Sequence, residues 1–176
     1  MKFILLKHLS IFVYTKCNYI RLNDSVNIPM IYHEDYDFEI GKAIVLQEGA
    51  DVTIFATGTM VAPSLKAAKL LTEDNISTAV VNVHTIKPLD AETVDKYTDG
   101  RKLIVSVEEH SVIGGLGSVI AEHNSEKKIS PPQLRIGLPD AYCKPGSYEY
   151  LLDKHGLTAD KICARIKQNL IGGYNV

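Results

Sequence analysis

The chain has 176 residues, 45% of them hydrophobic and 23% charged, which predicts an ordinary globular domain with a sizeable core. The net charge of −2 and the absence of a long basic run argue against nucleic acid as a partner, because phosphate binding needs clustered Lys and Arg. No apolar run approaches the roughly 20 residues that cross a bilayer, so no membrane partner is expected.

Three cysteines without CxxC spacing argue against a disulfide framework and against a zinc site, and favour a reducing, cytoplasmic location. The apolar N-terminus is interrupted by Lys7 and His8, and no small-residue cleavage site follows, which argues against a signal peptide.

The first 37 residues differ in pattern from the rest of the chain. Three runs of strand-forming residues lie between Phe3 and Leu22, and the polar stretch His33–Asp37 ends the region. We therefore expect a boundary, with a short remnant at 1–37 and the main domain at 38–176.

In the main domain, strand-forming runs alternate with helical spacing at a period of about thirty residues. The predicted strands are Gly41–Leu46, Val52–Ala56, Ser77–Val83, Lys102–Val107 and Gln133–Leu138. Helices are predicted after the capping residues Thr59, Asp90, Ser147 and Thr158, and from about Ser118. This alternation predicts an α/β fold: a doubly wound, mostly parallel, five-stranded sheet with helices on both faces.

The carboxyl ends of parallel strands meet at one edge of the sheet, where such folds place ligands and partners. Four predicted strand ends should lie there: Thr57–Thr59, His84–Lys87, Glu108–Gly114 and Pro139–Tyr142. His84 and Lys87 fit a solvated loop or a docking contact.

The strand end Glu108–Gly114 has the most polar side chains of the four: it combines two carboxylates and a histidine with a glycine turn. Glu108, Glu109 and His110 are polar residues of a kind that can form a hydrogen-bonded network, contact a partner domain or perform acid–base catalysis. Of these, structure or interface is the favoured interpretation, and no catalytic residue and no metal ligand is assigned.

The glycines Gly114, Gly115 and Gly117 lead into a helix. They predict a tight turn; the alternative is an anion site at the helix N-terminus. Further along, Tyr142, Tyr148 and Tyr150 are expected to pack, and a cysteine placed like Cys143 is more often inert than reactive.

Four stretches together resemble a known family. They are NVHTIKPLD (Asn82–Asp90), VSVEEHSVIGGLGSVIAE (Val105–Glu122), RIGLPD (Arg135–Asp140) and LLDKHGLTADKI (Leu151–Ile162). In order and spacing they resemble the transketolase C-terminal domain, most closely the C-terminal section of the form split into two polypeptides. Deoxyxylulose-phosphate synthase and the beta subunits of 2-oxoacid dehydrogenases share this domain, and His110 after two glutamates favours transketolase.

The resemblance implies part of an enzyme that uses thiamine diphosphate and Mg²⁺ to transfer two-carbon ketol units between sugar phosphates. In that family, two other domains hold the cofactor at a subunit interface, through a GDG motif that this chain lacks. The resemblance therefore implies a structural and interface role, an N-terminal transketolase subunit or domain as partner, a homodimer, and no cofactor on this chain alone.

Near the N-terminus, the stretch Tyr19–Leu22 resembles the end of the pyrimidine-binding domain of the same family. Arg21 stands where that family has an arginine that contacts the sugar phosphate, and a guanidinium suits a phosphate. Two alternatives stay open: a stand-alone phosphate- or nucleotide-binding regulatory module that uses the GGLG turn, and a fragment of deoxyxylulose-phosphate synthase or a 2-oxoacid dehydrogenase beta subunit.

Overall fold

A computed structural model describes residues 19–21, 29–32 and 36–172. The chain divides into two compact units, Met1–Glu39 and Ile40–Val176. The predicted strand-forming runs before Tyr19 lie outside the described residues. Within the first unit, the rings of Tyr32 and Tyr36 stack with their centroids 3.8 Å apart.

The second unit is built on one five-stranded sheet. Its strands are β1 (Ile44–Gln47), β2 (Val52–Ala56), β3 (Thr78–Asn82), β4 (Leu103–Ser111) and β5 (Gln133–Leu138). They lie in the order β1-β3-β2-β4-β5; β1 is antiparallel to β3, and every other pair is parallel. The mostly parallel sheet predicted from the sequence is confirmed.

Helices connect the strands. A short 3₁₀ turn (Gly58–Met60) precedes α1 (Val61–Glu73), and the later helices are α2 (Ala91–Thr98), α3 (Leu116–Asn124), α4 (Tyr148–Lys154) and α5 (Ala159–Ile171). Within the described residues, none of the helices combines the length and apolar character that a membrane span requires.

The central strands carry the core because both of their faces are covered. Every residue of β2 and β3 is buried, as expected for parallel strands between two helical layers. On one face, Phe55 packs in a cluster with Tyr97 of α2 and with Leu116 and Ile120 of α3. Helices α1 and α5 contact each other in the other layer. Burial of each large apolar side chain in this core contributes about 1.5–3 kcal/mol to the stability of the folded domain.

Two of the predicted caps are confirmed in detail. The carboxylate of Asp90 accepts a hydrogen bond from the Thr93 amide at 3.2 Å, and the hydroxyl of Ser147 accepts one from the Tyr150 amide at 3.2 Å. Thr158 occupies the predicted N-cap position of α5 without a capping bond from its side chain.

The predicted cap at Thr59 is wrong. Helix α1 begins only at Val61, after the 3₁₀ turn, and Thr59 lies within that turn. Its hydroxyl donates to the carboxylate of Glu109 instead. A long-range polar partner has therefore replaced the local backbone partner that the sequence pattern indicated.

Candidate functional site

The carboxyl edge of the sheet is dominated by the long strand β4. This strand continues past Val107 to Ser111, so Glu108, Glu109 and His110 are strand residues rather than the start of a loop. The register between β4 and β5 shifts between Val107 and Ser111, which interrupts the regular alternation of side chains and gives the three residues different surroundings. Glu108 is buried at 1% exposure, Glu109 is half-buried and His110 is exposed.

The carboxylate of Glu108 caps the following helix from inside the protein. It accepts hydrogen bonds from the amides of Leu116 at 2.8 Å and Gly117 at 2.9 Å, in the first turn of α3. These amides have no partner within the helix, and the helix dipole favours a negative charge at this end. Glu108 therefore provides the acceptor for two buried N–H groups that would otherwise have no hydrogen-bond partner.

The glycines make this arrangement possible by leaving room. A Cβ on Gly115 would lie 1.8 Å from Oε2 of Glu108, and a Cβ on Gly117 would lie 2.5 Å from Oγ of Ser106. Gly114 has a φ of +79°, a conformation that side-chain-bearing residues rarely adopt. The turn thus brings the helix terminus against β4, as the tight-turn interpretation predicts.

This geometry does not suit a phosphate or a diphosphate. The first-turn amides that would bind an anion already donate to Glu108, and its carboxylate would repel a second negative charge. In the described part of the chain, no three His, Cys, Asp or Glu residues are grouped as metal ligands. The described residues at this edge therefore do not fit a magnesium–diphosphate group, and the GGLG turn gives no support to a phosphate-binding module.

The carboxylate of Glu109 joins three segments. It accepts hydrogen bonds from the hydroxyl of Thr59, in the turn after β2, and from the hydroxyl of Tyr148 in α4, the latter at 2.7 Å. Burial and this hydrogen bond raise the pKa of the Tyr148 phenol. The sequence analysis missed both partners; the available signal was that hydroxyl residues follow two other predicted strands.

The remaining candidates at this edge make local contacts. Nδ1 of His84 lies 2.9 Å from the hydroxyl of Thr85, and Nδ1 of His110 lies 3.3 Å from the carbonyl oxygen of Ser111. Lys87 is exposed. Their role as docking contacts stays a prediction.

An exposed surface adjoins the Glu109 cluster. Every residue of 139–150 is exposed, and α4 buries none of its side chains. The expectation that the tyrosines of this region pack is wrong for Tyr142, which is fully exposed. Tyr150 and Tyr148 are only partly covered, with exposed fractions of 52% and 41%. Ile113, in the turn that follows β4, is also exposed, at 62%. Large aromatic and aliphatic side chains of this kind are typical of protein interfaces.

Arg21 lies in the unit Met1–Glu39 and is exposed. Contact with a sugar phosphate stays a prediction for this residue.

Comparisons with known proteins agree with the fold. The sequence profile of the family described as "Transketolase, C-terminal domain" matches residues 41–162. A "Putative transketolase C-terminal section" from Methanocaldococcus jannaschii is 40% identical over 137 residues, which are 78% of this chain and 42% of that protein. A 1-deoxy-D-xylulose-5-phosphate synthase from Synechococcus is 39% identical over 142 residues, 81% of this chain and 22% of that protein.

Among solved structures, one described as "Split gene transketolase, inactive beta4 tetramer" has a TM-score of 0.74 and 40% identity, covering 82% of this chain and 46% of that chain. The chain therefore spans less than half the length of these relatives.

Proposed function

Because the chain belongs to the transketolase C-terminal domain family, we propose that it is the C-terminal domain of a thiamine-diphosphate-dependent transketolase-type enzyme. The complete enzyme transfers two-carbon ketol units between sugar phosphates. This chain has a structural and interface role and has no complete active site of its own.

The hydrogen bonds made by the two carboxylates at the sheet edge are the main support for an interface role. Glu108 is engaged by two helix amides and Glu109 by two hydroxyls, so both hold the protein's own segments together. A catalytic acid or base must instead reach a proton on the substrate. The exposed surface at 139–150 lies beside this edge, where Tyr148 contacts Glu109, and large exposed side chains of this kind suit docking.

The proposed partner is an N-terminal transketolase subunit or domain that binds thiamine diphosphate and Mg²⁺, in a cytoplasmic enzyme that is a homodimer of the complete unit. Residues 1–37 are the remnant of a pyrimidine-binding domain in this proposal, and 38–176 form the C-terminal domain. Arg21 would then contact the substrate phosphate once its surrounding domain is present.

Reconstitution tests the proposal. The missing parts can come from the Methanocaldococcus jannaschii relative, truncated before the stretch that matches this chain, together with the N-terminal section from that organism. We expect ketol transfer between ketose and aldose phosphates only when all polypeptides, thiamine diphosphate and Mg²⁺ are mixed. Ketol transfer by this chain alone, or equal activity without it, would contradict the proposal.

A parallel mixture separates transketolase from deoxyxylulose-phosphate synthase, which shares the domain. The complementary domains of the Synechococcus 1-deoxy-D-xylulose-5-phosphate synthase replace the Methanocaldococcus jannaschii parts, and pyruvate with an aldose phosphate replaces the ketose donor. Release of CO₂ that depends on this chain in that mixture, without ketol transfer in the first mixture, would assign the chain to the synthase class instead.

A further inference from the structure

The loop after β5 brings a thiol and an imidazole together. Sγ of Cys143 lies 3.1 Å from Nε2 of His155, within hydrogen-bonding reach. Cys143 is exposed, and His155 follows the last residue of α4. This pair lies outside the Glu108 and Glu109 contacts described above.

A nucleophile and a base within hydrogen-bonding reach are the structural signature of an activated thiol, because the base can take the proton as sulfur attacks. Nε2 of His155 is the atom that can take this proton, since it lies 3.1 Å from the sulfur. Exposure of the sulfur allows a small reagent to approach it.

The other cysteine within the described residues provides the contrast. Cys163 is 4% exposed in α5, and burial raises the pKa of its thiol. A buried thiol of this kind reacts slowly with reagents in solution.

We propose that Cys143 and His155 form a thiol-exchange site for low-molecular-weight disulfides of the glutathione type. The sulfur of Cys143 attacks one sulfur of the disulfide R–S–S–R, and its proton passes to Nε2 of His155. A new bond forms between Sγ and one RS group, the S–S bond breaks, and the second RS group leaves with the electron pair. The imidazolium then returns the proton to this leaving thiolate, so the products are the mixed disulfide and R–SH.

The product would add a charged group to the exposed 139–150 surface. The site itself follows from the contact of sulfur and nitrogen and does not depend on the proposed function. Its test therefore needs no partner protein.

The test uses the full chain with Cys17, which lies outside the described residues, replaced by serine. The rate of modification by the aromatic disulfide 5,5′-dithiobis(2-nitrobenzoate) is followed by absorbance, and mass spectrometry of peptides locates the adduct. Variants His155→Gln and Cys143→Ser are compared with Lys154→Gln, a control that removes a neighbouring positive charge and keeps the imidazole. Oxidised glutathione then replaces the aromatic reagent.

We expect one fast adduct, located on Cys143 and absent in Cys143→Ser. At about pH 6.5, His155→Gln should react at least about tenfold more slowly, while Lys154→Gln stays within about twofold of the parent. At about pH 9.5, where hydroxide can remove the thiol proton without help from the imidazole, the His155→Gln rate should approach the parent rate. Equal rates of His155→Gln and the parent at about pH 6.5, or no glutathione adduct on Cys143, would overturn the proposal.

Discussion

Replacement of Glu108 by glutamine is the sharpest test of how the sheet edge is held together. The substitution keeps size and one carbonyl oxygen, which can still accept from one of the two amides at 2.8 and 2.9 Å. The new side-chain NH₂ group is a hydrogen-bond donor and faces the second backbone N–H, which is also a donor. The substitution also removes the negative charge at the N-terminus of α3.

The expected loss follows from these two changes. One hydrogen bond to a charged group is worth about 1.5–3 kcal/mol, and the charge at a partly buried helix N-terminus adds about 1 kcal/mol. We therefore expect Glu108→Gln to lower the free energy of unfolding by about 3 kcal/mol. With a urea dependence of about 1–3 kcal/mol per molar, the unfolding midpoint should fall by about 1 M or more.

The matched control is the same substitution one residue later. Glu109→Gln keeps an oxygen that can accept from both hydroxyls, so its loss should be below about 1 kcal/mol. Urea unfolding followed by circular dichroism measures both variants. Equal and small losses would refute the view that Glu108 holds the start of α3.

Three further changes probe the fold. Gly49→Ala should destabilise the domain by about 2 kcal/mol or more in urea unfolding, because the new Cβ would lie 2.1 Å from the backbone carbon of Thr78; a loss below about 0.5 kcal/mol would contradict this close approach. Burial and the hydrogen bond to Glu48 raise the pKa of Tyr97 to about 12. As pH rises, the Tyr97 phenol therefore stays protonated in the folded protein at pH values where it has already ionised in the unfolded chain. The free energy of unfolding should consequently fall as pH rises from about 10 towards 12. Tyr97→Phe should flatten that decline, and an unchanged slope would argue against the shift. Burial acts to raise the pKa of Asp90, but hydrogen bonds outweigh it and lower the pKa, so the stabilising contribution of this carboxylate should be present above about pH 4 and disappear as pH falls further. The Asp90→Asn variant should therefore be less stable than the parent by about 1 kcal/mol at neutral pH and should approach the parent's stability in acid. A stability difference that does not change with pH would refute this assignment.

Local sequence signals predicted the elements whose cause is local. The β-branched run Val52–Ala56 matches β2 residue for residue, because a short apolar segment between turns is enough to specify a fully covered strand. The run Gln133–Leu138 matches β5 equally well, although this edge strand is only partly buried. The cap at Asp90 was predictable for the same reason, since its donor lies three residues away.

Contacts between distant residues were not predictable. Thr59 and Glu109 are fifty positions apart, so the preference of threonine for a helix cap outweighed the real partner. Cys143 meets His155 only because the loop and α4 fold back on each other. Likewise, the sequence placed Glu108 at the edge without showing that its carboxylate turns inward to the helix amides.

We propose that the polar edge of the sheet organises an interface and holds no catalytic residue. In the reconstituted enzyme, ketol transfer is titrated with increasing concentrations of the His110→Gln chain, because His110 is an exposed polar residue of this edge. We expect kcat at saturation to stay within about twofold of the parent value, while the half-saturating concentration of the chain rises. A loss of about 100-fold or more in kcat at saturation, with unchanged half-saturation, would contradict it.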